Sequence, residues 1–185
     1  MNILENKVLI PVRVFTPSLV VDGLIRLGLG ARTQDELNQA ARSFLTLSSP
    51  LLVSGDLTLG QGPLSLHKPS ILFALELQEL GIPPGNMDTE PLIRRFARAS
   101  VRLRVGEYTL EGYVHVLPGG DALARFNEAN HLFVALTSVK VVGPGVDFST
   151  PFLAVNRSHV VAGQEIVRYS ALPEEALASA SDALA

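Results

Sequence analysis

The sequence predicts a mainly β protein made of two tandem copies of a small, strongly bent, five-stranded barrel. Each copy has one short helix between its second and third strands. One observation is an internal repeat, because residues 12–77 align without a gap onto residues 101–166, at an offset of 89 positions. Another is the alternation of apolar and polar residues in several short segments, which is the period of a half-buried strand. A glycine lies in the middle of one such segment in each copy, as in strands that bend sharply.

The repeat is the strongest of these signals. Twelve of the sixty-six aligned pairs are identical, whereas unrelated segments of ordinary composition agree at roughly 6% of positions. We therefore interpret the chain as a duplicated domain. The predicted parts are a first β-domain at 1–80, a Pro/Gly linker with a short helix at 81–99, a second β-domain at 100–170, and an Ala-rich tail at 171–185.

The elements of the two copies follow in the same order. The predicted strands are 12–15, 19–27, 44–53, 64–66 and 71–77 in the first copy, and 101–104, 108–117, 133–142, 152–155 and 160–166 in the second. Gly23 and Gly112 mark the bends of the second strands. Thr33 and Glu36 predict a capping box that begins the first short helix, and Asp121 is the predicted cap of the second. In the linker, Asp88 predicts the start of a helix that ends at Ala99.

Composition limits the classes of function. A net charge of −3 and a pI near 5.8 argue against a surface devoted entirely to nucleic acid or anionic lipid. The chain has no cysteine, which excludes disulfides and thiolate chemistry. No apolar run reaches the roughly 18 residues that a membrane span needs, so we expect a cytoplasmic protein. The hydrophobic fraction of 47% is high for two small domains, so we expect apolar surface between the copies or between chains.

Two family resemblances follow from particular residues. The turn at 155–160, Val-Asn-Arg-Ser-His-Val, resembles the apolar-Arg-Gly-x-x-apolar signature of Sm-like barrels, which are built on the SH3-like fold, although Arg157 stands where that family has glycine. Asn130 to Leu136 resembles the other Sm signature. A closer resemblance is to an uncharacterised bacterial small β-domain family, through Gly112, Asn127 and Phe133. The first family implies a bent five-stranded barrel, and the second implies no known activity.

The sequence does not predict a catalytic residue, a metal site or a cofactor. Its four histidines include no pair at helical i, i+4 spacing, and metal ligation needs at least three converging donors. Carboxylates recur at Asp22/Glu111 and Glu76/Glu165. They are either a paired acid and base across a pseudo-twofold axis, or polar positions on the solvent face of strands or between the copies.

Arginines are concentrated between the copies, with no acidic residue among them. Guanidinium groups that share one face of a helix or strand can bind phosphates or carboxylates, although a solvated face with ion pairs is the alternative. We predict an anion-binding or nucleic-acid-binding site formed by these arginines together with two residues from the polar turns. Its members are Arg94, Arg95, Arg98, Arg102, Arg104, Lys68 and Arg157.

These observations favour a non-enzymatic binding or assembly module built as an internal pseudo-dimer, with self-association or a protein partner. One alternative is an Sm-like binder of nucleic acid or of an anionic ligand, using the arginine-rich segment. A second is a small-ligand protein or enzyme with a site at the junction of the copies.

Overall fold

The computed structural model describes residues 7–28, 30–77, 97–127 and 131–166. We call residues 7–77 the first half and 97–166 the second half. The first half contains the strands β1 (Lys7–Phe15), β2 (Leu19–Gly28), β3 (Phe44–Gly55), β4 (Leu64–His67) and β5 (Phe73–Glu76). The second contains β6 (Ala97–Val105), β7 (Tyr108–Val116), β8 (Phe133–Gly143), β9 (Val146–Asn156) and β10 (Val160–Glu165).

All ten of these strands belong to one antiparallel sheet. The strand order is β10-β6-β7-β8-β9-β5-β1-β2-β3-β4. Within each half, the fifth strand therefore lies beside the first, and the fourth lies at the opposite end. The fourth strand of the second half, β9, pairs with the fifth strand of the first half, β5. The mainly β prediction is confirmed, but the sheet is continuous and does not close, so the prediction of two five-stranded barrels is not confirmed.

The second strand bends at the same place in both halves. A Cβ added to Gly23 would lie 2.9 Å from the Cβ of Leu47, and one added to Gly112 would lie 3.0 Å from Val139. The register with the third strand shifts at each glycine. Opposite each shift, the third strand holds a serine at positive φ, Ser49 at 48° and Ser138 at 49°. Two strands can approach this closely only where one lacks a side chain.

The helical insertions differ between the halves. The first is α1 (Thr33–Leu37), whereas the second is a 3₁₀ turn at Leu123–Phe126. The helix begins one residue earlier than the capping box predicted, because the carboxylate of Asp35 accepts a hydrogen bond from the backbone N–H of Arg32 at 2.8 Å. Thr33 instead donates its hydroxyl proton to Glu76 at 2.6 Å. Short 3₁₀ turns also join the fourth and fifth strands at Lys68–Ser70 and Arg157–His159.

Three strands begin four or more residues earlier than the sequence predicts. Strand β1 begins at Lys7 rather than at 12. Strand β9 begins at Val146 rather than at 152, because Pro144 and Gly145 form a tight hairpin turn that pairs β8 with β9 along their full length. Ala97 to Ala99 belong to β6 rather than to the end of a helix. The rest of that predicted helix and the Ala-rich tail lie outside the described residues.

The cores extend across both halves. Phe15 and Phe73 of the first half stack with ring centroids 4.4 Å apart, and both contact Tyr108 of the second half edge-on. They join a buried cluster formed mainly by the second half. Conversely, Phe133 and Ala154 of the second half pack in the buried cluster of the first. The two halves therefore share their hydrophobic cores.

Candidate functional site

Strands β5 and β9 join the two halves, and we call their contact, together with the packing of α1 on β8, the junction. Phe73 pairs with Val155 and Ala74 pairs with Ala154. The backbone N–H of Asn156 extends this pairing by donating to the carbonyl of Leu72 at 2.9 Å. The small alanine side chains are fully buried where the strands meet. The junction is thus a continuation of the sheet.

Asn156 closes one end of the junction. Its side chain is fully buried and donates to the carbonyl of Ile71 at 2.8 Å. Its amide oxygen accepts hydrogen bonds from the backbone and hydroxyl of Ser158 at 3.0 and 2.6 Å. Nearby, Nε2 of His159 lies 2.6 Å from the carbonyl of Pro69. A buried amide is stable only when its donors and acceptors are used, and here the other half supplies the acceptor.

Asn38 binds at the same end, from the C-terminus of α1, because its partner Phe133 lies directly opposite Asn156. Its side-chain amide donates to the carbonyl of Phe133 at 2.9 Å, and its oxygen accepts from the N–H of Phe133 at 2.8 Å. Gln34 donates to the same carbonyl at 3.1 Å. Helix α1 of the first half therefore binds the backbone of β8 at its first residue.

The two strands at the ends of the sheet are the repeat equivalents of the two strands that form the junction. Strand β4 corresponds to β9, and β10 corresponds to β5; within the described segments each has a neighbour on one side only. Apolar residues are exposed on β10 and on β3, the strand next to β4. Phe44 is 52% exposed, whereas its equivalent in the second half, Phe133, is 0% exposed. Val161 is 75% exposed, whereas its equivalent in the first half, Leu72, is 3% exposed.

Three of the predicted anion-binding arginines lie on one face of β6, which we call the outer face. Arg102 donates to the carboxylate of Glu111 at 2.7 Å. Arg104 is exposed, and its guanidinium lies 3.5 Å from the hydroxyl of Thr109. Arg98 lies over the ring of Tyr113, 4.4 Å from its centroid, and donates to the hydroxyl of Ser138 at 3.1 Å. Arg94 and Arg95 lie outside the described residues.

The two predicted turn residues lie away from that face and contact the helical insertions. Lys68 is 3% exposed, and its ammonium donates to the carbonyls of Glu36 and Gln39 at 2.6 and 3.2 Å. Burial lowers the pKa of Lys68, an effect that Glu36 opposes and Arg42 adds to. At the equivalent position, Arg157 donates to the carbonyl of Phe126 at 3.2 Å. Lys68 therefore stabilises α1, and it is not part of an anion surface with the β6 arginines.

The recurring carboxylates are used in local contacts. Asp22 accepts two hydrogen bonds from Arg13 across β1 and β2, at 2.7 and 2.8 Å. Glu111 forms the equivalent pair with Arg102 across β6 and β7. Glu76 accepts the hydroxyl proton of Thr33. The contacts of Asp22 and Glu111 are cross-strand pairs of the kind that stabilise sheets, and Glu76 binds α1. These contacts agree with the simpler of the two interpretations considered for these residues.

Sequence reasoning did not identify the residues that build the junction. Asn38 and Asn127 are identical in the repeat, yet an asparagine on a helix gave no indication of a bond to the other half. The apolar edge residues Phe44 and Val161 were interpreted as ordinary strand residues. An excess of apolar residues at strand positions was the one signal available.

Wider comparisons add no information about function. Comparisons of the chain with protein-family models, with curated proteins and with solved structures find no match. In residues 7–28, 30–77, 97–127 and 131–166, no three side chains of His, Asp or Glu are grouped to hold a metal ion. None of the helices in these same ranges has the length and apolar character to cross a membrane.

Proposed function

We propose that the chain is a tandem pair of Sm-like β-domains that functions as an assembly module. In this proposal, strand β10 of one molecule pairs with strand β4 of the next, as β5 pairs with β9 inside the chain. The observation that carries the proposal is the junction itself, whose two strands have equivalents at the two ends of the sheet.

The repeat gives the expected register of this contact between molecules. The pairs Phe73 with Val155 and Ala74 with Ala154 correspond to Ala162 with Leu66 and Gly163 with Ser65 of the neighbouring molecule. These positions hold small or apolar side chains, as the junction does. Asn127 occupies the position of Asn38, so its side chain is expected to bind the backbone of Phe44 in the neighbouring molecule.

Exposed apolar side chains support the same contact. Phe44 and Val161 lie where Phe133 and Leu72 are buried in the junction. A contact between molecules would remove both side chains from water, at roughly 25 cal/mol for each Å² of apolar surface buried.

The edge strands also lack the lysines and prolines that commonly prevent edge pairing, although β10 has a bulge at Val161 and β4 is only 4 residues long. Proteins usually protect an exposed edge with lysine, proline or an inward-pointing charge. Neither lysine nor proline occurs in β4 (Leu64–His67) or in β10 (Val160–Glu165), where Glu165 is the single charged residue. Because the two edges differ from each other, the contact is head-to-tail. Such contacts close into rings when the rotation between molecules allows it, and otherwise form filaments.

Light scattering coupled to size-exclusion chromatography tests the proposal. We expect the wild-type chain to have a mass that is a multiple of 19.8 kDa and that rises with concentration. The variant Val161→Lys places a charge on the β10 edge, and we expect it to elute at the mass of a single chain. Because Val161 is exposed within the chain, this change leaves the folded monomer intact.

Leu51→Lys is the matched control. Leu51 is 64% exposed on β3 and lies away from β4 and β10 in the pairing of the sheet. We expect this variant to associate as the wild type does. A wild-type mass of 19.8 kDa at every concentration would refute the proposal, as would equal loss of association in both variants.

A further inference from the structure

A cationic cluster lies on the outer face of the second half, next to the junction. Arg98 on β6 and His115 on β7 are direct cross-strand partners. The guanidinium of Arg98 is held between the ring of Tyr113 and the hydroxyl of Ser138. A guanidinium has five N–H donors, and this arrangement orients it while using one of them.

His115 is the centre of the cluster. Its Nε2 lies 3.4 Å from the hydroxyl of Thr137 on β8. The pKa of His115 is lowered by partial burial and by the positive charges of Arg98 and Arg32. Arg32 is the residue immediately before α1 in the first half. Positive charges from both halves therefore lower the pKa of His115.

Arg98 has no carboxylate partner among the described residues. Arg13 and Arg102, on the same sheet, each form an ion pair with an acidic residue of the adjacent strand. By contrast, no carboxylate of the described residues lies within ion-pair distance of Arg98, whereas Asp35 accepts a hydrogen bond from the backbone N–H of Arg32. A guanidinium that is oriented by its neighbours and not neutralised by a carboxylate favours binding of an anion from solution.

The cluster is specific to the second half. The repeat places Leu9 at the position of Arg98, Leu24 at that of Tyr113 and Arg26 at that of His115. The fold shared by the two halves therefore does not require this set of side chains. The contrast separates a local role from a structural role common to both halves.

We propose that Arg98 and His115 bind the phosphate group of a small phosphorylated molecule. The guanidinium of Arg98 and a protonated His115 together balance the charge of a phosphate monoester, which is close to −2 at neutral pH. A guanidinium fork bonds two phosphate oxygens at once. The hydroxyls of Thr137 and Ser138 border the same space and provide further hydrogen-bonding groups for a tetrahedral ligand.

Isothermal titration calorimetry with inorganic phosphate at low ionic strength tests this site. We expect saturable binding with one site per chain. Arg98→Gln is expected to weaken binding about tenfold or more, since it removes a charge-assisted bond. Arg104→Gln is the matched control, because it removes the same charge from the same strand and face, about 20 Å away at 3.3 Å per residue. We expect the control to change the affinity by less than about twofold.

Two further titrations identify the ligand class and the role of His115. A single-stranded oligouridylate tests for diffuse attraction to nucleic acid, which would weaken equally in Arg98→Gln and Arg104→Gln. Sulfate does not ionise near neutral pH, so proton uptake on its binding reports on the protein. We expect uptake at pH 6.5 in the wild type and none in His115→Gln. The site is refuted if phosphate does not bind, or if the two arginine variants lose affinity equally.

Discussion

The junction and the two edges of the sheet are built from equivalent strands, yet only the junction strands pair with each other within the chain. Strand β9 has β5 as its neighbour, whereas its equivalent β4 lies at the end of the sheet. The exposure of an apolar residue in this fold depends on which strand lies beside it. Phe133 and Phe44 occupy the same position of the repeat, and only Phe133 is buried. Burial at these positions therefore requires a neighbouring half.

The two regions also differ in the residues that line them. The junction holds Ala154 and the buried amide of Asn156, whereas β4 holds Ser65 and His67 at the equivalent positions. The junction is therefore the drier and more fully hydrogen-bonded of the two. We expect the contact between chains to be weaker and reversible, while the junction unfolds together with the core.

Replacing the two equivalent phenylalanines gives the largest expected contrast. Phe133→Ala removes a fully buried ring, so we expect it to lower the free energy of unfolding by about 3–5 kcal/mol. Phe44→Ala removes a half-exposed ring, and we expect a loss below about 1 kcal/mol in the isolated chain. Urea denaturation of both variants at a concentration that favours monomers measures the difference. Equal losses would contradict the contrast between the two regions.

The two equivalent asparagines give a smaller contrast. Asn38→Ala leaves the N–H of Phe133 without its side-chain partner and the carbonyl of Phe133 with Gln34 alone, so we expect a loss of about 1–3 kcal/mol. Asn127→Ala is expected to leave the stability of the monomer nearly unchanged and to weaken association between chains. Denaturation and light scattering on both variants check these outcomes. If Asn127→Ala associates normally, the proposed contact between Asn127 and Phe44 is wrong.

Lys68 tests the junction indirectly, because it holds the helix that carries Asn38. Lys68→Met removes two hydrogen bonds to the end of α1, but it also removes the cost of burying a charge. We expect a net loss of about 1–2 kcal/mol at neutral pH.

The pH dependence of that loss has a definite sign. The folded pKa of Lys68 lies below its ordinary value of 10.5, so the unfolded chain binds more protons between these two pKa values. The contribution of Lys68 to stability therefore rises with pH through that window. Urea denaturation at several pH values should show this rise in the wild type relative to Lys68→Met. A constant difference between the two proteins would contradict the lowered pKa.

The strands could be predicted because their signal is local. Alternation of apolar and polar residues predicted β2, β3, β7 and β8 to within two residues at their ends. The two bends followed from Gly23 and Gly112, because a strand interior rarely accepts glycine without a close approach. The order of strands across the sheet, and with it the junction, depends on contacts between distant segments. Such contacts do not produce a periodic pattern of apolar residues in the sequence.

The candidate residues could be predicted only in part, for the same reason. Arg102 and Arg104 share one face of β6, as strand alternation predicts, but the partner of each arginine depends on the neighbouring strand. Lys68 has the sequence context of an exposed turn, but its ammonium binds two carbonyls about thirty residues away, in the last turn of α1 and just after it. Thr33 was expected to cap a helix, and Glu76 binds its hydroxyl instead. In each case a distant partner overrode a local preference.

The titration of His115 is expected to have the smallest effect on stability, and its pKa reports on the contact between the two halves. Burial, Arg98 and Arg32 hold its pKa below the ordinary 6.5 in the folded chain. As pH falls from 6.5, the unfolded chain takes up a proton first, so stability is lost down to the folded pKa and is constant below it. We expect this loss to be below about 1 kcal/mol, because the imidazole is partly exposed. It should be absent in His115→Gln.

The same imidazole reports whether α1 stays in place on the second half. In Asn38→Ala the first half loses two of the three side-chain hydrogen bonds that join α1 to β8 and keeps only that of Gln34. Arg32 is therefore expected to move away from His115, and the pKa of His115 is expected to rise. NMR titration of the imidazole in the wild type and in Asn38→Ala measures this shift, with Asn127→Ala as the control that leaves α1 untouched. An unchanged pKa in Asn38→Ala would mean that other contacts hold α1 on β8. The junction would then depend on its buried apolar side chains and on the β5–β9 pairing.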